Sequence, residues 1–581
     1  MSDLDAADLA ALGHAQSLSR SFSPLSMLAL SFSVLGTWST CAQNLGLGLS
    51  TGGPVAILWG LVLVALCNTC VAASLGELVS SMPTALGQAY WVARLLGDDK
   101  HKPARQGEAA AQGTLGNGEK KKGQAGRFAA YMCAWINTFG WWTLAASQNA
   151  FMTDFILAMR LLISPDAPTA WPASSSSSSR SPPGWLRFVV YTAITCLATA
   201  FNHVASRNAR VLPLFNSLIG AWFAVEFFLY ATALPTSVHL HPALAFQPAA
   251  WVFGGWINQT GWPDAVVFLM GLVQGAYGLT AFDTVIHMVE EIPSPRRNAP
   301  RTMCLAVVLG AVSGFVFMLI CLFCIQDVSD VIGGAEFSFP FITITSSIMG
   351  RSTAAVLIGL FIANGLGQAV SVQTSASRLT WSFARDGGIP HGQSYFAHVD
   401  EKWHAPVRAL WLQAVIVSLV GLLYLFSDAV LQAILSVSTI ALTLSYGMPI
   451  FALMLVGRRQ LPPRGQFGLG PRLGPVINTI SILYCITTTI VFFFPHSPNP
   501  GIRDMNWAIA VFGVMLVISI GFWLIQGCNT FMAGIGQADE GVVVEAVLSA
   551  QSSVLSSGSR SELLDPAPAQ VESVITSNVK T

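Results

Sequence analysis

The sequence predicts an all-α integral membrane protein of about twelve spanning helices, and three observations predict it: the composition, the recurrence of long apolar runs and the placement of basic residues. Of the 581 residues, 53% are hydrophobic and 10% are charged. Mean hydropathy is +0.58, whereas a soluble globular chain carries about 25% charged residues. Lys plus Arg and Asp plus Glu both total 29, so no net charge points to a nucleic-acid partner. Position is then the informative electrostatic variable.

A helix needs about 20 apolar residues to cross a bilayer. Segments of that kind fall at 25 to 46, 54 to 79, 128 to 160, 185 to 206, 210 to 233, 263 to 289, 302 to 325, 352 to 383, 407 to 427, 430 to 456, 475 to 495 and 506 to 527. Lys and Arg are retained on the cytoplasmic side of short loops. With the N-terminus inside, the loop after the second span holds Arg94, Lys100, Lys102, Arg105, Lys120, Lys121, Lys122 and Arg127, and every later inside loop carries basic residues. The outside loops hold only Arg180, Arg351 and Arg503, with Arg160 and Arg187 at span ends. The alternation supports the spans and places both termini in the cytoplasm.

The expected organisation is a cytoplasmic tail at 1–20, a membrane domain at 21–530 and a cytoplasmic tail at 531–581. The first 20 residues lack the basic-then-apolar pattern of a cleavable signal peptide, so the first span is expected to target the chain. Residues 97–126, rich in Gly, Lys, Gln and Ala, and the Ser-rich C-terminal tail bury too little apolar area to order themselves. Asn258-Gln259-Thr260 is a glycosylation sequon in an expected outside loop. The pairs Cys67/Cys70 and Cys321/Cys324 lie inside spans and read as small buried hydrophobes; no metal site and no cofactor is expected.

Glycines interrupt the first span, SFSVLGTWST from Ser31, and the sixth, GLVQGAYGLTAFD from Gly271. Alone, each is explained by close helix packing. Together they occupy equivalent positions of a five-plus-five arrangement, where discontinuous helices expose backbone groups to a solute at the bilayer midplane.

The stretches FSPLSMLALSFSVLGTWST from Phe22, GGPVAILWG from Gly52, SLGELVSSMPTALGQAYW from Ser74, AFDTVIHMVEEIPSPRRNAPRTM from Ala281 and SVQTSASRLTWSFARDGGIP from Ser371 resemble the fungal choline and GABA permeases. These form part of the amino acid/choline branch of the amino acid-polyamine-organocation superfamily. The resemblance covers roughly residues 20–530 and implies twelve helices in a 5+5 inverted repeat, with discontinuous first and sixth helices. It also implies secondary active, proton-coupled uptake across the plasma membrane. It leaves the solute open among amino acids, GABA, choline and polyamines, and the oligomeric state unassigned.

Carried over position by position, the resemblance puts Gly36, Thr37 and Trp38 at the first break and Gly275, Ala276, Tyr277 and Gly278 at the second. Their N–H and C=O groups would hold the polar ends of the solute. Trp38 and Tyr277 read either as packed aromatics or as gates that offer a π-face to an ammonium. Asp283 follows the second break. A carboxylate inside a bilayer costs about 2.5–3.5 kcal/mol on insertion scales, which makes it a functional candidate. It could bind a cationic amine, accept the coupling proton or pair with a neighbouring helix. His287, one turn on, could relay a proton or be a hydrogen-bonded packing residue. Glu226, without a local partner, is a further proton-coupling candidate unless it lies in water near the outer end. Asn137 and Trp141 on the third span, and Asn364 and Gln368 on the eighth, would wall the pocket or join helices. Glu77, Glu290 and Glu291 read as inner-gate ion pairs or anchors beside Arg296, Arg297 and Arg301.

Two competing classes are distinguishable. An embedded enzyme needs catalytic groups clustered at one depth, but the ten histidines are scattered, and the close pair His239/His241 falls in an outer loop. A nutrient sensor on the same fold would signal through long termini, and the 531–581 tail is short for that role.

Overall fold

The computed structural model describes residues 2–97, 117–164, 182–333, 339–425, 430–462, 465–501 and 505–533. The Ser174–Ser179 run, residues 98–116 and the chain beyond 533 lie outside them. Two units are distinct. The N-terminal unit, within Met1–Gln16, contributes one short helix, α1 (Ser2–Ala10); the second unit, Ser17–Ala533, is the bundle.

The bundle is helical throughout. Its elements are α2 (Pro24–Leu35), α3 (Thr37–Gln43), α4 (Leu45–Ser50), α5 (Gly53–Ser81), α6 (Gln88–Leu96), α7 (Asn117–Ile163), α8 (Gly184–Ala205) and α9 (Val211–Leu240), followed by α10 (Ala249–Gly254), α11 (Asp264–Gly278), α12 (Thr284–His287), α13 (Pro295–Cys324) and α14 (Val328–Gly333). The remainder are α15 (Pro340–Met349), α16 (Arg351–Arg385), α17 (Gln393–Phe396), α18 (Val407–Gly421), α19 (Val430–Val456), α20 (Gly470–Val491) and α21 (Ala508–Phe522). Among the described residues, ten helices are long and apolar enough to cross a membrane. The expected third and sixth spans fall outside that set for separate reasons. α7 carries too many polar residues, including Asn137, Thr138, Ser147, Gln148, Asn149 and Thr153, all buried. The sixth is cut into α11 and α12.

α7 also begins at Asn117, inside the stretch 97–126 that composition assigned to disorder. Ala, Glu, Lys and Gln are strong helix formers, and that local preference extends the span backward.

Burial sorts the helices. α2, α3, α16 and the 436–456 part of α19 are mostly buried, while α9, α20 and α21 turn most of their surface outward. The outward faces are apolar: Leu197, Leu218, Phe228, Leu483 and Val517 are all exposed, as lipid contact requires. α7 packs between α16 and α19, and α5 against α11 and α13. The interior is therefore lined by α2, α3, α7, α11, α12, α16 and α19.

The first break is built by local chemistry. Pro24 starts α2 behind a reciprocal cap: Ser23 Oγ accepts from Ser26 N–H at 3.1 Å and Ser26 Oγ accepts from Ser23 N–H at 2.9 Å. Gly36 ends it with φ 53° and ψ 30°, the left-handed conformation in which Gly carries no Cβ penalty, and α3 resumes at Thr37. A Cβ on Gly36 would also stand 2.0 Å from Gln368 Nε2.

The second break falls later than its glycines suggest. α11 runs through Gly275, Ala276, Tyr277 and Gly278, and the chain departs from helix over Leu279 to Asp283. Ala281 carries the turn at φ 71°, a strained value for a residue with a Cβ. Gly275 and Gly278 instead permit close packing, since a Cβ there would meet Leu61 Cα at 3.2 Å or Thr40 Oγ1 at 2.9 Å.

Gly36→Ala is expected to lower transport more than tenfold and to cost about 1–2 kcal/mol of stability from the left-handed backbone alone. Gly513→Ala, where a Cβ meets nothing within 4 Å, should be neutral. Uptake and the thermal midpoint of purified protein, measured on both variants, check the contrast.

Candidate functional site

The two breaks are tied to each other and to helices on either side. Thr37 Oγ1 donates to Gly278 O at 2.7 Å and Asn68 Nδ2 to Leu279 O at 3.3 Å, so carbonyls freed by the second break find donors on α3 and α5. At the first break, Gln368 Nε2 donates to Val34 O at 3.3 Å. Gln148 Nε2 on α7 then donates to Gln368 Oε1 and Gly365 O, both at 3.1 Å. Tyr277 points at α7, with 2.7 Å between its hydroxyl and Ser147 Oγ. Ala276 is buried, and its carbonyl accepts from Thr280 Oγ1 at 2.5 Å.

Asp283 sits at the end of the second break with no exposed surface. Oδ2 accepts from Gln88 Nε2 at 2.8 Å, Asn137 Nδ2 at 3.3 Å and Trp141 Nε1 at 3.2 Å, and it faces His287 Nε2 at 3.0 Å. Oδ1 accepts from the Tyr446 hydroxyl at 2.6 Å. Each carboxylate oxygen offers about two lone-pair sites, so the four groups at Oδ2 crowd it beyond that share while, among the described residues, Oδ1 takes Tyr446 alone. Tyr446 also steadies the backbone, because its oxygen accepts from Ala281 N–H at 3.2 Å and so holds the strained turn. His287 is equally enclosed, and its Nδ1 faces Ala85 O at 2.9 Å.

The structure thus gathers Asp283, His287, Asn137 and Trp141 at one point, and Gly36, Thr37, Gly278 and Gln368 at another. Trp38 joins neither; it stacks on Phe223 with ring centroids 4.9 Å apart. Glu226 is fully buried on α9, which removes the reading of an acid solvated at the outer end. Asn364 is its polar neighbour on α16. Sequence reading missed Gln88, Ser147, Gln148 and Tyr446. Each is a polar residue in an apolar or unassigned stretch, a signal that marks burial but not which neighbour it will meet.

The acids beyond α12 pair across the fold, with arginines of α16. Arg378 Nε donates to Glu291 at 2.8 Å and Arg385 Nη1 to both Glu290 oxygens at 3.1 Å. Arg458 Nε donates to Glu77 at 2.9 Å. Arg296 spends its guanidinium on Ser80 O and Ser81 O, at 3.1 and 2.7 Å, and Arg297 and Arg301 are exposed. The partners come from α16 and beyond α19 because contact order in a bundle is set by topology and not by chain distance. Just past α16, burial pushes Asp386 up to about 6, against the pull of Arg385. At Asn258, the sequon amide donates to Trp262 O at 2.8 Å and Asp264 Oδ1 at 3.0 Å, so it is already engaged.

A family model described as amino acid permease matches residues 22–518. The chain belongs to that family. It is 26% identical over 535 residues to a choline transporter of Saccharomyces cerevisiae, covering 92% of this chain and 86% of the relative. It is 24% identical over 529 residues to the amino-acid permease BAT1 of Arabidopsis thaliana, covering 90% and 94%. A BAT1 homolog of Oryza sativa is 26% identical over 548 residues, covering 92% and 96%. The chain is accordingly a multi-pass membrane permease.

Breaking one partner of a buried ion pair leaves an uncompensated charge, at about 3–5 kcal/mol. Glu291→Gln and Arg378→Gln should each lower the thermal midpoint of the permease, and the double variant should lose clearly less than the sum. A second measurement concerns Asp386. Its value near 6 in the fold lies above the ordinary 3.8, so this group stabilises the fold at low pH and loses that contribution as pH rises through about 6. Asp386→Asn should flatten the difference in melting temperature between pH 5 and pH 7 relative to the parent.

Proposed function

We propose that the permease takes up amino acids or GABA-like amines across the plasma membrane, driven by protons, with the Asp283–His287 pair as the proton-carrying group. In this reading the bundle makes twelve crossings in a 5+5 inverted repeat, with both termini cytoplasmic. The solute's polar ends bind at the breaks around Gly36 and Leu279–Ala281.

One observation carries the coupling: both ring nitrogens of His287 face acceptors, Ala85 O on one side and Asp283 on the other. The Nδ1 proton is needed for Ala85. Nε2 then either donates as part of an imidazolium to a carboxylate, or accepts from a protonated Asp283. In both arrangements the pair holds two protons and is electrically neutral. Losing one leaves a buried negative charge, which the enclosed site disfavours until water reaches it. Tyr446 links this charge to the backbone turn through Ala281, so proton release and rearrangement of the break share a residue. The Glu290–Arg385 and Glu291–Arg378 pairs, which fasten the segment just beyond His287 to α16, would close the cytoplasmic side and part when it opens.

Choline is the second reading, favoured by the relative named choline transporter; the BAT1 relatives favour amino acids. Uptake of GABA, choline, putrescine, and neutral and basic amino acids by permease-deficient cells, at external pH 5 and 7, tests solute and coupling together. Asp283→Asn and His287→Gln should each lower accumulation at least tenfold and remove its pH dependence, with surface expression retained. Wild-type accumulation by either variant refutes the assignment.

A further inference from the structure

Glu226 lies on α9 with no exposed surface, and among the described residues neither of its carboxylate oxygens has a hydrogen-bond partner. Asn364 lies against the carboxyl without closing a bond of good geometry, and its own Oδ1 is likewise unpartnered. Phe223 and Tyr230 stand one turn before and one turn after Glu226, so the three share a face of α9. That face is turned inward, because all three are buried.

What packs on that face is aromatic. Trp38, two residues past the first break, has its ring 4.9 Å from Phe223, 4.8 Å from Phe317, 6.0 Å from Phe361 and 6.2 Å from Tyr230. These rings come from α3, α9, α13 and α16, so the arrangement is assembled by tertiary structure. Two of them also keep polar hydrogens unused: among the described residues, Trp38 Nε1 and the Tyr230 hydroxyl are buried without partners, although Tyr230 is close enough to Glu226 to feel its charge.

Packing alone accounts poorly for this set. Aromatic faces carry negative electrostatic potential, so a cluster of rings is a hostile neighbour for an anion with no donor. It is favourable to a cation, which the faces and the carboxylate attract together. A buried carboxylate left without hydrogen bonds is costly, and an aliphatic residue would fill the position without that cost. The combination of one acid, four or five rings and no fixed basic partner is the recognition chemistry of an ammonium group.

We propose that Glu226, with the rings of Trp38, Phe223, Tyr230, Phe317 and Phe361, forms a subsite for the positively charged nitrogen of the transported solute, primary or quaternary. The subsite adjoins the first break through Trp38 and through Asn364, which is one helical turn from Gln368 on α16. A solute carboxylate or hydroxyl would then lie toward Gly36 and Gln368. This assignment rests on the reading of the permease as a carrier of amine solutes but is independent of where the coupling proton resides.

Binding of tetramethylammonium to purified full-length permease, followed by thermal shift, tests the subsite without requiring transport. The parent protein should be stabilised by the probe in a saturable way. Glu226→Gln and, separately, Phe361→Leu should each raise the half-saturating concentration at least tenfold, while Asp283→Asn should leave it within about twofold. Phe361→Leu decides the matter should Glu226→Gln fail to fold. No stabilisation of the parent, or equal affinity in the Glu226 and Phe361 variants, overturns the subsite, and in that case Glu226 holds only a proton. Loss of accumulation in Asp283→Asn with intact probe binding would leave both assignments standing. Normal accumulation in that variant would remove the coupling role and not the subsite.

Discussion

A carboxylate taken out of water loses solvation that only other dipoles can replace, and at Asp283 that replacement is drawn from four separate segments of the permease. Gln88 comes from α6, Asn137 and Trp141 from α7, Tyr446 from α19 and His287 from α12. Withdrawal of any one of these helices would strip Asp283 of hydrogen bonds inside an apolar interior. The convergence therefore fixes where α6, α7 and α19 meet the second break. It also makes the state of one proton matter to all of them.

From this point the logic of the breaks follows. A helix interrupted inside a membrane must give its freed carbonyls and amides to protein groups, because lipid offers none. Thr37, Asn68 and Tyr446 do so at the second break and Gln368 at the first. These partners are side chains on neighbouring helices, so a shift of either break must exchange hydrogen bonds across the bundle. The ion pairs of Glu290 and Glu291 with α16 lie three and four residues past His287, so the segment that α16 fastens is mechanically continuous with the Asp283–His287 pair.

Much of the fold was legible in the sequence because lipid imposes a coarse rule. Long apolar runs located most of the helices to within a few residues, though α7 begins eleven residues before its expected span, α13 seven residues before, and α9 ends seven residues later. The broken first helix was legible too, since Gly36 has no plausible substitute at a left-handed φ. The second break was misplaced by a few residues because glycine serves two purposes in a membrane. Gly275 and Gly278 allow close packing against α5 and α3, while the bend itself falls on Ala281, a residue that advertises nothing. Asp283 could be picked out as a charge at depth, and His287, Asn137 and Trp141 as candidates, but Gln88 and Tyr446 could not, because hydrogen bonding between helices has no periodicity to read. The same blindness applied to the acid pairs: nearby arginines looked like partners for Glu290 and Glu291, yet topology supplied Arg385 and Arg378. Trp38 and Glu226 each stood out alone, and only the packed structure shows that Trp38 stacks on Phe223, one turn from Glu226 on the same face of α9.

The central claim is that a proton held between Asp283 and His287 moves with the solute. Permease reconstituted into liposomes with a trapped pH indicator measures this directly, under a fixed membrane potential and with no imposed pH difference. The account predicts that adding solute outside acidifies the lumen in proportion to solute uptake. Solute accumulation with no change in lumenal pH would contradict it.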